Sequence, residues 1–498
     1  MERAYKPFWW RFERRHSLAE GTGSRLVSLL RALQAQGQNP MKPASEGRAL
    51  LTDFYELIMA AGYFEHKLEA RATFELFIRS LPPERTYLVA CGLEAAIEYL
   101  ESLRFTKEDI AFLRRQSAFR TVSGTFFDYL RDFRFTGDVN AVREGTVIFA
   151  EEPVLQITAP IIEAQIVETY LLSVINFETL VATKSSRVVH AAQGKGVLEF
   201  GTRRAQGPEA GLRAARAAYI GGCIATSNVL AGFRYGVPLA GTVAHSWTQA
   251  FSTERESFEA ILETFPEHAF LLIDTYEPLT GAELASSLGR RLPGVRLDSG
   301  NLLDESRAVR KLLDLHGLAE TKIVASGDLN EYKIAELMAA GAPVDFFGVG
   351  TEIATSRDVP SLSAVYKLVE LEEHGRLHYK TKYSKRKGYA PGRKQVFRFE
   401  ENGRFHHDLI SRADENYPDA APLLDPVMMK GKRVAPQPVI EDIRSYAQRQ
   451  LAKLPEERKA LHDAVTYDVR KSTPLEHLHD QLREGDLAGL KEAAADRR

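Results

Sequence analysis

The chain reads as an α/β protein built on parallel strands, and three observations predict this. From Val197 onward, short apolar segments begin near Val197, Gly222, Pro238, Phe270, Val295, Ile323 and Asp345, each followed by a helical stretch. Strands alternating with helices at roughly 15–30 residues indicate βα units in a parallel sheet. Seven units favour a closed (β/α) barrel, with an open doubly wound sheet as the alternative. The third observation concerns the strand ends, which carry "FGTRRAQG", "ATSN", "GTVAHSW", "IDTYE", "RLDSGN", "ASGDLN" and "FGVGT". In parallel βα proteins the C-terminal strand ends converge on one face, where the active site lies.

Residues 1–40 carry seven Arg/Lys, three Asp/Glu and a polar end "QAQGQNP". They offer no apolar signal core, so this stretch is expected to be a dispensable extension, with Met41 the functional start. Apolar residues at helical spacing mark "LLTDFYELIMAAGYFEH", "GLEAAIEYLESL" and "KEDIAFLRRQ" as helices. "ARATFELFIRS" alternates like a strand, and 128–160 is strand-rich with Gly and Pro turns. "IIEAQIVETYLLSVINFETLVATKSSRVVHAAQG" predicts one or two long helices. Beyond Pro360 the pattern turns to β, with an "ENG" hairpin signal in "QVFRFEENGRFHHDLIS". A helix pair comes next in 439–463, and the charged end "DLAGLKEAAADRR" is expected to fray. The expected divisions are 1–40, 41–160, a barrel at 161–362, 363–480, and a tail at 481–498.

Composition narrows the function. A net charge of −2 over 498 residues provides no general field for nucleic acid or anionic lipid. No apolar run is expected to span a membrane. Two cysteines, Cys91 and Cys223, make no disulfide framework and fit a reducing cytoplasm. HExxH and CxxC are absent, so no metal held tightly by protein ligands is expected.

The loops then suggest chemistry. "FGVGT" and "SGDLN" have the glycines that let backbone N–H groups approach a phosphate. Lys184, Arg187, Arg203 and Arg204 are expected to add positive charge on or near that face. Asp274, Asp298 and Asp328 supply carboxylates, suited to Mg²⁺ carried in with a polyphosphate. Arg296 and Asp298, two apart on a strand, share a side. His245, at the mouth of an apolar strand, is either a core or capping histidine or a nucleophile or general base.

The motifs "LLTDFYELIMAAGYF", "FELFIR", "EFGTRRAQGPEAGLRAARAAYIGGCIATSNVLAG", "GVPLAGTVAHSW", "VRLDSGNL", "IVASGDLNEYKI" and "FGVGTEIATS" resemble, in order from about Leu50 to Leu454, the nicotinate phosphoribosyltransferase family. The resemblance implies an irregular barrel plus a second α/β domain built from the N- and C-terminal parts. It implies ATP-coupled transfer of phosphoribosyl from 5-phosphoribosyl 1-diphosphate to nicotinate, with Mg²⁺, in a cytoplasmic homodimer. Position by position, it makes His245 the phosphorylated histidine, and Thr242 and Arg296 contacts of nicotinate. Arg203 becomes the base-binding arginine, and Asp298 a catalytic residue beside the ribose. Gly327, Gly350 and Thr351 become the 5′-phosphate cradle, and Tyr55 reaches a neighbouring subunit's site. Ser227 and Asn228 carry no charge, which favours a carboxylate substrate over the amide of a nicotinamide enzyme. A quinolinate enzyme would want more cations and no phosphorylatable histidine. A catalytically dead metabolite-binding protein would not need His245, Arg296 and Asp298 intact.

Overall fold

The structure is a computed structural model that describes residues 48–288, 292–384 and 387–495. The expected extension at 1–40 and the Met41 start lie outside the described residues. Six short strands form one parallel sheet in the order Ala225–Thr226, Gly196–Glu199, Phe346–Val349, Lys322–Ala325, Gly294–Leu297, Phe270–Leu272. This is the irregular barrel, curled but not closed. Pro238, where a seventh strand was expected to begin, starts none. That segment makes a single bridge, Thr226 to Leu239. Side chains hold the residues just beyond it: Arg296 Nη1 donates to Thr242 Oγ1 at 2.8 Å and to the Val243 carbonyl at 3.4 Å.

The second α/β domain draws on both ends of the chain. Its seven-stranded antiparallel sheet runs Arg376–Tyr379, Ala364–Glu373, Arg71–Ile78, Pro153–Pro160, Asp138–Val142, Leu424–Met429, Lys432–Arg433. The "ENG" hairpin forms as Lys394–Glu401 and Arg404–Arg412, within a four-stranded sheet. The alternation of "ARATFELFI" does not mark a wet face. Every residue from Ala72 to Ile78 is buried, because the strand sits mid-sheet with both faces covered. The buried Glu75 is met by Lys394 Nζ at 2.7 Å. Burial pushes Glu75 up and Lys394 down from their ordinary pKa values, each partly offset by the other's charge.

Helix Glu168–Ala191 joins the two parts, packing on Leu93–Ser102 on one side and on the barrel helices Pro208–Ile220 and Glu331–Ala339 on the other. By length and composition alone 161–191 could cross a membrane, but 67% of its 18-residue apolar window is buried inside the protein, which is the pattern of a core helix. The described part of the tail continues the helix Thr473–Ala495.

The barrel core divides in two. Val197, Ala325, Phe347 and Val349 belong to one cluster, and Leu271, Val295, Leu297 and Ile323 to another. Val295 and Leu297 are buried while Arg296 between them is part-exposed. The twofold period of the strand therefore turns Arg296, and two residues later Asp298, to the opposite side.

Candidate active site

A cavity of about 220 Å³ opens at the C-terminal ends of the parallel strands, and Arg203, Arg296, Asp298, Gly327, Gly350 and Thr351 all line it. Phe200, Arg204, Ser326, Asp328, Glu352 and Arg357 complete most of its wall. A larger cavity, about 650 Å³, lies elsewhere, bordered by Glu75, Arg79, Lys382, Lys394 and Lys471. It contains none of the strand-end residues. The smaller one is the candidate site, because glycine turns, arginines and a carboxylate converge there.

Asp298 is fixed from several sides. Its backbone N–H donates to Asp274 Oδ2 at 2.8 Å, and Ser299 Oγ donates to the same oxygen at 2.9 Å. Ser326 Oγ donates to Asp298 Oδ1 at 2.5 Å, and Arg296 Nη2 pairs with that same Oδ1. Arg296 Nε reaches Ser326 Oγ at 2.8 Å, and its guanidinium lies 6.0 Å from the centre of the Phe200 ring. With its side chain 12% exposed, Arg296 is preorganised by four neighbours, at a spread of contacts a lysine could not reproduce.

His245 is the first residue of a short helix, His245–Gln249. Its Nδ1 lies 3.2 Å from Thr275 Oγ1 and its Nε2 3.9 Å from Asp298 Oδ2. The ring is 40% exposed, so it is not a core histidine, and the N-cap of its helix is Ala244. Thr242 contacts the site through Arg296. Ser227 lies just past the neighbouring strand end, its N–H donating to the Glu199 carbonyl at 3.0 Å. Neither Ser227 nor Tyr55 lines the cavity. Tyr55 is 46% exposed on the helix Phe54–Glu65, beside exposed Phe54, Ile58 and Met59.

The arginine loop is held from beneath. Glu199 accepts from the Gly201 N–H and, at 2.5 Å, from Thr226 Oγ1. Burial pushes the Glu199 carboxyl up, partly offset by these two bonds. Arg203 and Arg204 sit on a single 3-10 turn, exposed and without an ion pair among the described residues. Gly327 has φ +99°, and a Cβ there would fall 1.9 Å from the Asp298 carbonyl oxygen, so two strand ends meet backbone to backbone.

Several polar loop residues prove structural. Asn228, Asn301 and Asn330 each accept from a backbone N–H three residues on, capping the helices that begin at Val229, Leu302 and Glu331. Lys184 and Arg187 are corrected. Both are buried and paired with Glu331, so neither offers free charge to the face. Conversely, sequence reasoning did not single out Phe200, Ser326, Glu352 or Arg357. The last lies six residues beyond "GVGT", past the five-residue helix Thr351–Thr355, which Ser356 caps with φ +42°.

The donor chemistry of the cavity fits a hard divalent cation such as Mg²⁺. Asp298 and Asp328 offer hard carboxylate oxygens in the same cavity as four arginines. Elsewhere Cys91, Glu144 and Glu178 lie close enough together to suggest a metal, but the Arg216 guanidinium occupies that cluster. It stands 2.9 Å from Glu144 Oε1 and 3.3 Å from Glu178 Oε2.

Known proteins share this design. The profile of the nicotinate phosphoribosyltransferase N-terminal domain matches residues 50–176, and that of its C-terminal domain matches 418–479. The quinolinate phosphoribosyl transferase C-terminal domain matches 181–360. A nicotinate phosphoribosyltransferase of Mycobacterium tuberculosis, pncB2, is 44% identical over 448 residues, spanning 88% of this chain and 95% of the relative. The chain belongs to the nicotinate phosphoribosyltransferase family. The human nicotinate phosphoribosyltransferase is 31% identical over 91% of this chain and 99% of its own length. The crystal structure of human nicotinic acid phosphoribosyltransferase superposes with a TM-score of 0.76 at 29% identity, covering 86% of this chain and 99% of that one. A nicotinate-nucleotide pyrophosphorylase from Pyrococcus furiosus superposes at 0.68 and 28% identity, covering 83% and 99%.

Proposed function

We propose that this protein is an ATP-coupled nicotinate phosphoribosyltransferase of pyridine nucleotide biosynthesis. The observation that carries the reading is one cavity that gathers Arg203, Arg296, Asp298 and the glycine turns at 327 and 350. It supports a ligand with a carboxylate at one point and phosphate at another. The relatives' names supply the substrate, nicotinate.

In this reading the nicotinate ring nitrogen attacks C1 of 5-phosphoribosyl 1-diphosphate. The C1–oxygen bond to diphosphate breaks, giving nicotinate mononucleotide and pyrophosphate. Arg203 and Arg296 hold the nicotinate carboxylate, and Thr242 fixes Arg296. Gly327, Gly350 and Thr351 present backbone N–H groups to the 5′-phosphate. Asp298 stands beside the ribose and favours the positive charge developing at C1. Positioning then supplies much of the acceleration. Mg²⁺ bound with the diphosphate would neutralise its charge, with Asp298 and Asp328 as the nearest protein oxygens. His245 accepts the γ-phosphoryl of ATP on a ring nitrogen, releasing ADP, and water later cleaves the N–P bond to give phosphate. Asp298 next to the ring favours the cationic form that this transfer passes through. The uncovered apolar face around Tyr55 supports a homodimer in which that tyrosine completes the neighbour's site. A cytoplasmic enzyme without nucleic-acid or membrane partners fits the balanced charge.

The match of the barrel to the quinolinate enzymes favours a second substrate class, a pyridine dicarboxylate. Turnover of nicotinate, nicotinamide and quinolinate by the purified protein decides between them. Nicotinate is expected to be consumed, faster with ATP. Consumption of quinolinate with release of carbon dioxide would overturn the proposal.

A further inference from the structure

Lys184 lies beneath the cavity, not in it. Its side chain is 1% exposed, and its ammonium stands 2.6 Å from Glu331 Oε2, 3.0 Å from Asp358 Oδ1 and 3.3 Å from Glu352 Oε2. Three carboxylates around one ammonium would leave excess negative charge, and arginines balance it. Arg187 Nε sits 3.2 Å from Glu331, and Arg85 holds Asp358 with two bonds of 2.9 Å. Glu352 is the exception. Its other cation is Arg357, at 3.6 Å with a side chain 68% exposed.

The position of Glu352 makes this matter. It is the residue after Thr351 and lines the same cavity, with its side chain 12% exposed, so its charge lies beside the space assigned to phosphate. An uncompensated carboxylate there repels a phosphate, and the buried side of the pair is little screened by salt. Glu331, the first residue of the helix after "SGDLN", binds the same ammonium. One buried cation thus fastens the first turns of chain beyond both glycine loops.

We infer that Lys184 is a positioning residue for the phosphate end of the site, neutralising Glu352 from behind and tying the two glycine loops together. This rests on the reading of the cavity as a phosphate site. Removing the ammonium leaves Glu331 and Asp358 with arginine partners but leaves Glu352, on the cavity wall, with only the exposed Arg357. A buried charge that loses its partner is costly. Removing the Glu352 charge as well relieves the repulsion, whereas a role confined to packing gives no such relief.

The test is calorimetric binding of ribose 5-phosphate to the full chain, alongside turnover of nicotinate. Lys184→Met is expected to weaken ribose 5-phosphate binding about tenfold and to raise KM for 5-phosphoribosyl 1-diphosphate more than KM for nicotinate. Lys184→Met with Glu352→Gln is expected to return binding to within about threefold of the wild type. Glu352→Gln alone is expected to tighten ribose 5-phosphate binding, and this decides the matter if Lys184→Met does not fold. Unchanged binding in Lys184→Met, no recovery in the double variant, or unchanged or weaker binding in Glu352→Gln overturns the inference. A wild type that binds ribose 5-phosphate without consuming nicotinate overturns the proposed substrate alone, and the variant comparison still stands. A wild type that does not bind ribose 5-phosphate overturns both.

Discussion

Replacing Gly327 by alanine tests the closest approach in the site. The backbone there has φ +99°, which costs an L-residue about 1–2 kcal/mol. The new Cβ would lie 1.9 Å from the Asp298 carbonyl oxygen and 2.9 Å from its carbonyl carbon. These are backbone atoms, so no rotamer change relieves the clash. The two strand ends must part by about 1 Å, and a misplacement of that size costs on the order of 100-fold in rate. That corresponds to about 2.7 kcal/mol of transition-state stabilisation. Gly341→Ala is the control, with φ +71° and nothing within 4 Å of its Cβ. It incurs the backbone strain without the clash. Steady-state formation of nicotinate mononucleotide, with thermal melting of both variants, separates the two effects. Gly341→Ala is expected to lose melting temperature but keep kcat/KM. Gly327→Ala is expected to lose both. If Gly327→Ala stays within threefold of wild-type kcat/KM, Asp298 and the glycine turn do not act as a unit.

Three further outcomes are expected. Protein incubated with γ-labelled ATP should carry an acid-labile, base-stable label that His245→Ala abolishes; label surviving in that variant places the acceptor elsewhere. Arg296→Lys keeps the charge but cannot reach Thr242, Ser326 and Asp298 together. It should cost about 10- to 100-fold in kcat/KM, since each lost charge-assisted bond is worth roughly 1.5–3 kcal/mol and a lysine retains some of them; parity with the wild type would show that only charge matters. Burial would raise the Asp358 carboxyl, but its bonds to Arg85 and the Lys184 charge hold it well below the usual aspartate range. A depressed pKa contributes stability above the unfolded value near about 4 and loses it as pH falls toward the folded value. Asp358→Asn should therefore melt earlier at pH 7, with the gap closing below about pH 4; a gap independent of pH would assign it to packing.

Local rules account for what the sequence alone determined. The 15–30-residue rhythm after Val197 identified parallel βα units, and the "ENG" turn identified its hairpin, because strand and turn preferences act over a few residues. Arg296 and Asp298 share a side because the strand period is two, which needs no knowledge of neighbouring strands. Tertiary structure decided which polar loop residues are free. Asn228, Asn301 and Asn330 look like site residues in sequence but cap helices, while Phe200 and Arg357 reach the cavity without an obvious motif. It also set the strand order, which puts Phe346–Val349 beside Gly196–Glu199 across some 150 residues and so brings "FGVGT" to "FGTRR". The sheet fate of "ARATFELFI" depended on cover from both sides. Lys184 shows the limit most sharply. From sequence it is a cation near a phosphate site, but its three carboxylate partners lie well over a hundred residues away along the chain. Whether a charge is available to a ligand depends on what surrounds it in space, and no local pattern records that.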